Sequence, residues 1–464
     1  MLYSNNLNNR FFRLHFLDKF ESTIFIIIIF FLLKILSSLY FYSDSNINIF
    51  EISNLFSGYI VSLYNGEGFK SCIFDFHFTV YSGNEIGCSY ATRMPLIPYL
   101  YSFLTFFSKN FLPIAIMKNL LISLLFYIFM KIFYNSLSEK EKKYFLYYNI
   151  SLIIIFLSPS IIKHASSITY EEGIIIELLI LWSLFFMQLV KSLKLQKNFN
   201  KQVLPISLLC LSTAIYFTKS SMLFCLIISY FVCVVWLFKN FQYKTFFSLI
   251  LSLLLIFLWG INNLKKSDNF NIGSSVNWLL GYYGLNSISN QIYPEIALDQ
   301  IWEAKKFTLK DGTIIVNNLE QVPKFNNEWE KNKFYKKKIY YWIKNNPKQF
   351  LNITLKKIYN FFINIKKTPY SIGPDVNMEY FKKPLQEIFV SSWLLFGRLC
   401  SIYFVYLIYK NWKKEKILCL FSLLILASYT APHILGYNYE RHVTPLFAII
   451  IIINASLIKN LNNE

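Results

Sequence analysis

Charge is scarce in this sequence: Asp, Glu, Lys and Arg make up 16% of its 464 residues, while 55% are hydrophobic. So thin a polar covering excludes a single water-soluble core. Acidic residues are scarcer still, 26 against 46 Lys and Arg, which leaves a net charge of +20. That excess does not point to nucleic acid, because the lysines sit in loops and form no basic stripe interleaved with aromatics on a soluble domain. Part of it follows from a Lys, Asn, Ile and Phe bias of the kind an A/T-rich genome gives.

There are only seven cysteines and five histidines. No CxxC pair and no Asp/Glu/His or Cys/His cluster has metal-ligand spacing, so no metal and no other cofactor is expected. Cys210, Cys225, Cys233, Cys400 and Cys419 lie in apolar runs, where a thiol acts as a small apolar group. Cys72 and Cys88 share one polar loop, and a disulfide and two free thiols both remain open for them. Internal repeats and Gly/Ser linkers are missing. The first apolar run is long enough to stay as an anchor rather than leave as a signal peptide.

Apolar and aromatic residues are abundant, with 47 Phe and 33 Tyr. Runs such as TIFIIIIFFLLKILSSLYFY and PLFAIIIIINASLI approach the ~20 residues a hydrocarbon layer requires, and backbone groups there must close into helices. Ten spans are expected, at 22–42, 111–134, 144–160, 173–189, 203–218, 221–238, 246–261, 388–409, 417–435 and 443–457. Lysines crowd alternate short loops: Lys140, Lys142 and Lys143; Lys191, Lys194, Lys197 and Lys201; Lys239 and Lys244; Lys410, Lys413, Lys414 and Lys416. Such loops belong to the cytoplasm, which places both termini there, with Arg10, Arg13 and Lys19 ahead of the first span. The parity holds if 95–107 does not cross, and about 13 residues is too short to do so.

This topology gives a plasma (inner) membrane protein in three parts. An N-terminal transmembrane module, 1–261, carries a first outer loop at 43–110. A late extracytoplasmic segment follows at 262–387, and C-terminal spans occupy 388–464. The late segment ends in KKKIYYWIKNNPKQFLNITLKKIYNFFINIKK, whose apolar residues alternate with lysines at helical spacing and suit a helix at the lipid headgroups.

Six stretches carry a resemblance: FEISNLFSGYIVSLYNGEGF from Phe50, ATRMPLIPYLYSFLTFF from Ala91, SPSIIKHASSITYEEGIIIELLILW from Ser158, LSTAIYFTKSSM from Leu211, YERHVTPLFAIII from Tyr439, and NEWEKNKFYKKKIYYWIKNNPKQF from Asn327. In their order they resemble polyprenyl-phosphate-sugar-dependent glycosyltransferases of the GT-C fold, relatives of aminoarabinose transferases and protein O-mannosyltransferases (glycosyltransferase family 39-like). Leu96 and Ile97 stand where the family has Gly and Tyr, and Lys219 and Ser220 where it has Arg and Pro. The resemblance implies a GT-C-type bundle of about ten transmembrane helices with outer-face juxtamembrane helices and one large late outer loop. It also implies a polyprenyl-phosphate sugar as donor and a lipid, glycan or protein as acceptor.

Sugar transfer from such a donor displaces a phosphate at the anomeric carbon. A carboxylate must deprotonate the acceptor hydroxyl, and fixed cations must neutralise the departing anion. The candidate acids at the outer face are Asp44, Glu51, Glu85, Glu171 and Glu172, with Asp44 or Glu51 as base. Arg93, Lys219 and Arg441 reach the same face from three chain regions as candidate phosphate ligands. Glu171 and Glu172 also open a helix, where carboxylates favour the positive dipole end. Inside the spans, Arg398 calls for a partner, for which Glu177 is the candidate, and His433 reads as a helix-end residue. The expected activity is a membrane glycosyltransferase acting at the extracytoplasmic side, embedded among membrane lipids. A cell-envelope polysaccharide polymerase or ligase and a multi-span transporter or flippase are the alternatives. The first would lean on arginines in the late loop, which has none; the second would need broken midplane helices and deep ionisable groups.

Overall fold

The apolar runs fold as helices, as a chain that must satisfy its own backbone inside lipid requires. A computed structural model describes residues 19–42, 48–50, 56–72, 81–82, 85–168, 170–193, 202–285, 306–308, 314–316, 325–363, 383–436 and 440–461. The helices are α1 (Phe20–Tyr42), α2 (Ser57–Tyr64), α3 (Leu96–Thr105), α4 (Phe111–Ser136), α5 (Glu139–Lys142), α6 (Phe145–Phe156), α7 (Pro159–Ser166), α8 (Glu172–Ser192) and α9 (Val203–Thr218). They continue with α10 (Leu223–Lys239), α11 (Tyr243–Ser267), α12 (Asn277–Leu285), α13 (Glu328–Asn345), α14 (Pro347–Phe362), α15 (Lys383–Asn411), α16 (Lys416–Leu435) and α17 (Glu440–Leu461). Two short antiparallel pairs, Tyr81–Ser82 with Glu85–Ile86 and Lys306–Thr308 with Ile314–Val316, are the strands among the described residues.

Among the described residues, seven helices are long and apolar enough to cross a membrane: α1, α4, α8, α10, α11, α15 and α16. The chain is therefore an all-α polytopic membrane protein. The count falls short of ten for two reasons. The span expected at 144–160 is two helices, α6 and α7, bent by 74°, which make one further span at most. Ser158 caps α7 by accepting from Ile161 N, and Pro159 at the first helical position has no N–H to continue the ladder of α6. In addition, α9 has 16 residues, and the part of α17 from His442 to Ile458 is likewise a short apolar helix.

Helix α8 is the axis of the bundle, buried along its whole apolar length and packed by α4, α7, α9, α16 and α17. Its 21 residues separate its ends by about 30 Å. The C-terminal end meets the basic turns: Gln188 Nε2 donates to Glu141 Oε1 (3.0 Å), Lys191 Nζ to Ser456 O (3.0 Å), and Lys239 Nζ to Leu193 O (3.1 Å). The N-terminal end meets Lys219 and His442 instead.

Two lysines are fully buried between the spans. Lys34 pairs with Glu177, Nζ to Oε1 2.5 Å, so Glu177 does not serve Arg398 as the sequence suggested. Lys118 Nζ donates to the carbonyls of Ala165 (2.7 Å), Ser167 (2.9 Å) and Gly173 (3.1 Å). Two of those carbonyls, Ala165 and Ser167, close α7, where the last acceptors of a helix have no intrahelical partner, and the third lies in the first turn of α8. An ammonium buried among apolar helices is tolerated only with such partners.

Candidate functional site

The loop that carries Arg93 is fastened from three sides. Behind it, Cys72 and Cys88 form a disulfide, and Ser71 and Ser89 exchange backbone hydrogen bonds of 2.8 Å. Gly66 (φ 76°) and Gly68 (φ 85°) supply the left-handed turn that brings the chain back from α2 to this point. Tyr59 of α2 accepts from Thr92 N (3.1 Å), and its hydroxyl lies 2.6 Å from Thr92 Oγ1 and 3.3 Å from Ser89 Oγ. Burial, and then the nearby Glu328, pushes the Tyr59 phenol well above its usual range, so it stays a neutral hydrogen-bonding post.

From the late segment, Glu328 at the start of α13 takes the other side of the loop. Its Oε1 accepts from Tyr90 N (2.8 Å) and Ala91 N (2.9 Å), and its Oε2 from Ser275 Oγ (2.8 Å). Ser275 N in turn donates to Ala91 O (2.8 Å). Burial raises the Glu328 carboxyl above its usual range, opposed by these hydrogen bonds. Arg93 emerges from this clamp over the ring of Phe56, 5.7 Å from its centroid, and is itself only 8% exposed.

Its guanidinium faces the start of α8. Arg93 Nη1 lies 4.0 Å from Glu171 Oε1, an attraction across a gap wider than a hydrogen bond. The next residue, Glu172, holds Lys219 Nζ at 2.9 Å and stands 3.9 Å from His442 Nε2. Lys219 occupies the turn between α9 and α10, in extended backbone. That turn rests on the late segment, since Asn277 Oδ1 accepts from Ser220 Oγ (2.9 Å) and Ser274 Oγ (3.0 Å). The His442 ring stacks on His433 at 4.5 Å, and His433 stacks on Phe361 at 6.2 Å. His433 is thus a buried helix-end residue within one ring of the site.

The close approach of α7 and α8 makes this end possible. A Cβ on Gly173 would collide with the Ser167 carbonyl oxygen, the same oxygen that Lys118 holds. Glycine at 173 and lysine at 118 together place Glu171 and Glu172 at the bundle's end.

Of the acids expected from the sequence, Glu171 and Glu172 stand here, with side-chain exposures of 15% and 2%. Arg93 and Lys219 are the cations that join them. Asp44 and Glu51 lie outside the described residues. Glu85 pairs with Ser82 in the short hairpin, and Arg441 sits in the first turn of α17; their side chains fall outside the described set. Sequence reasoning passed over Tyr59, Lys118, Glu328 and His442 as members of the site. A Glu just after Asn327 reads as a helix-opening acid, and no sequence pattern reports that it reaches back to residue 90. Among the described residues, no group of three His, Cys, Asp or Glu side chains could hold a metal ion.

Chemically, the arrangement offers two fixed cations beside two carboxylates, one partly accessible and one sealed. The chain matches no family model, and neither the curated proteins nor the solved structures compared with it give a match.

Proposed function

We propose that the protein is a membrane glycosyltransferase that moves a sugar from a polyprenyl-phosphate donor to an acceptor hydroxyl on the extracytoplasmic side. The observation that carries this reading is that Arg93 and Lys219, from separate chain regions, converge on adjacent carboxylates at the start of α8. Cations held there in a poorly solvated place suit a leaving phosphate, because they need no reorganisation as its charge develops. Glu171 is the accessible member of the acid pair and can assist at the acceptor hydroxyl; Glu172, sealed against Lys219 and His442, fixes the cation. The base would be Asp44 or Glu51, and Glu85 and Arg441 would complete the acid and phosphate sets.

Two features support this side of the membrane. A disulfide closes the loop just before Arg93, and disulfides persist on the oxidising side. The lysine-rich turns gather at the other end of α8, as cytoplasmic loops should. This supports cytoplasmic termini and an inner-membrane location with the site facing outward. Counting α6 with α7 as one pass and adding α9 and α17, which flank α8, would give ten passes, the number the GT-C resemblance implies. Transport is the less favoured alternative, because Lys118 is held by three carbonyls and Glu177 is paired with Lys34.

Deleting the gene and separating lipid-linked sugars by thin-layer chromatography tests the function. A polyprenyl-phosphate sugar should accumulate as its acceptor loses that sugar. An unchanged lipid-linked pool with an unchanged envelope would end the reading.

A further inference from the structure

We infer that Glu328 is a positioning residue for Arg93: from the late segment it holds the two backbone N–H groups just ahead of the arginine and so sets where the guanidinium lies. This rests on the proposed function for its activity test alone. The geometry is self-contained. Glu328 is 4% exposed, and among the described residues no cation lies within ion-pair distance of it. A carboxyl buried without a cation is costly unless hydrogen bonds satisfy it. Here they come from Tyr90 N, Ala91 N and Ser275 Oγ.

Those donors share one feature. Tyr90 and Ala91 immediately precede Thr92 and Arg93, and Ser275 already pairs its own N–H with Ala91 O. The carboxylate thus joins three separate pieces of chain: the Arg93 loop, the 274–277 turn that also braces Lys219 through Ser220, and the first turn of α13. Trp329, next in sequence, fastens that turn again through its Nε1 donating to Ser267 Oγ (2.6 Å). With Tyr59 holding Thr92 from the opposite side, the loop has little freedom, and displacing residues 90–91 would carry Arg93 away from Glu171. The late segment therefore acts on the site by holding both of its cation-bearing turns.

The clamp requires hydrogen-bond acceptance rather than charge. A glutamine can accept both backbone N–H groups on Oε1 and donate from Nε2 to Ser275 Oγ, whereas alanine leaves the two N–H groups buried and unmet.

Hydrogen exchange on the purified full-length protein, reading the amides of Tyr90 and Ala91, tests this without any substrate. E328A should speed their exchange by about tenfold or more, E328Q should stay within about twofold of wild type, and α8 and α17 should keep their protection. If E328A does not accumulate, E328D withdraws the carboxylate by one methylene and should show the same local loss. Wild-type protection at 90–91 in the alanine or aspartate variant would overturn the inference.

The activity test is a double-mutant cycle in the turnover of a polyprenyl-phosphate sugar. E328A should lower kcat/KM by about tenfold or more in the wild-type background, and by less than about twofold in an R93K background, because both changes act through one guanidinium. Losses that multiply would show that Glu328 acts by another route and would also overturn it. If wild-type protein turns over no such donor, the proposed function fails and the exchange result alone decides the positioning role.

Discussion

Lys219 and Glu172 form an ion pair that ties the α9–α10 turn to the start of α8, with Nζ 2.9 Å from Oε1 and only 2% of the glutamate side chain exposed. Their neighbours give this pair its meaning: Glu171, one residue earlier, faces Arg93, and His442 approaches Glu172 from α17. Three chain regions are therefore held together at one end of α8.

Breaking the pair from one side should cost more than removing both partners. K219M takes the ammonium away from the buried Glu172 carboxylate, at a cost of about 3 kcal/mol, while K219M with E172Q removes that charge as well and should recover most of the loss. Thermal midpoints in detergent decide between this and simple additivity.

The junction between α7 and α8 should tolerate almost no change. G173A places a methyl against the Ser167 carbonyl, and K118M leaves three buried carbonyls without their ammonium. Each should cost about 3 kcal/mol or more, because buried acceptors lose a charged donor or the backbone must move. The yield of folded protein on size-exclusion chromatography should fall in both variants, and an unaffected G173A would show that the two helices do not approach as described.

The Cys72–Cys88 bridge should be detectable directly. Mass spectrometry after alkylation should find two more labelled thiols once the protein is reduced. Because the cysteines stand 16 positions apart, C72S with C88S should destabilise the loop by about 3 kcal/mol. Equal labelling with and without reductant would contradict the bridge.

Glu328 sets a pH dependence. Its folded-state carboxyl is raised above the ordinary value of 4.5, so between 4.5 and the raised value the folded protein binds more protons than the unfolded one. Stability from this group therefore falls as pH rises through that window and is regained on acidification. E328Q has no such proton, so the difference in midpoint between E328Q and wild type should grow in favour of the variant from pH 4.5 towards neutrality and then level off. A difference independent of pH would mean that the carboxyl is not raised.

Much of this architecture was legible because hydrophobic length and lysine placement are local signals. Helices α1, α4, α8, α10, α11, α15 and α16 fall where the apolar runs put them, and the short helix at 96–105 was legible from its length. The break inside 144–160 carried a local signal too, Ser158 before Pro159, which cap and open a helix. It was masked by the apolar residues on both sides. The sequence set Arg93, Lys219 and the Glu171–Glu172 start on one expected face, but which cation meets which carboxylate came from the structure alone. Partner choice inside the bundle was not legible either: Glu177 meets Lys34 rather than Arg398, because helix neighbours are set by packing of whole faces and leave no trace in spacing. Glu328 was hidden for the same reason, since its partners are backbone groups at 90 and 91, whose identity no side chain announces.

Turnover of a radiolabelled polyprenyl-phosphate sugar by purified protein in liposomes tests the phosphate role of Arg93 most directly. Wild type should consume the donor and release polyprenyl phosphate, while R93A, folded and inserted with an unchanged thermal midpoint, should be inactive and R93K should retain a small fraction of the rate. Wild-type turnover by a folded R93A variant would contradict the assignment of that guanidinium to the leaving phosphate.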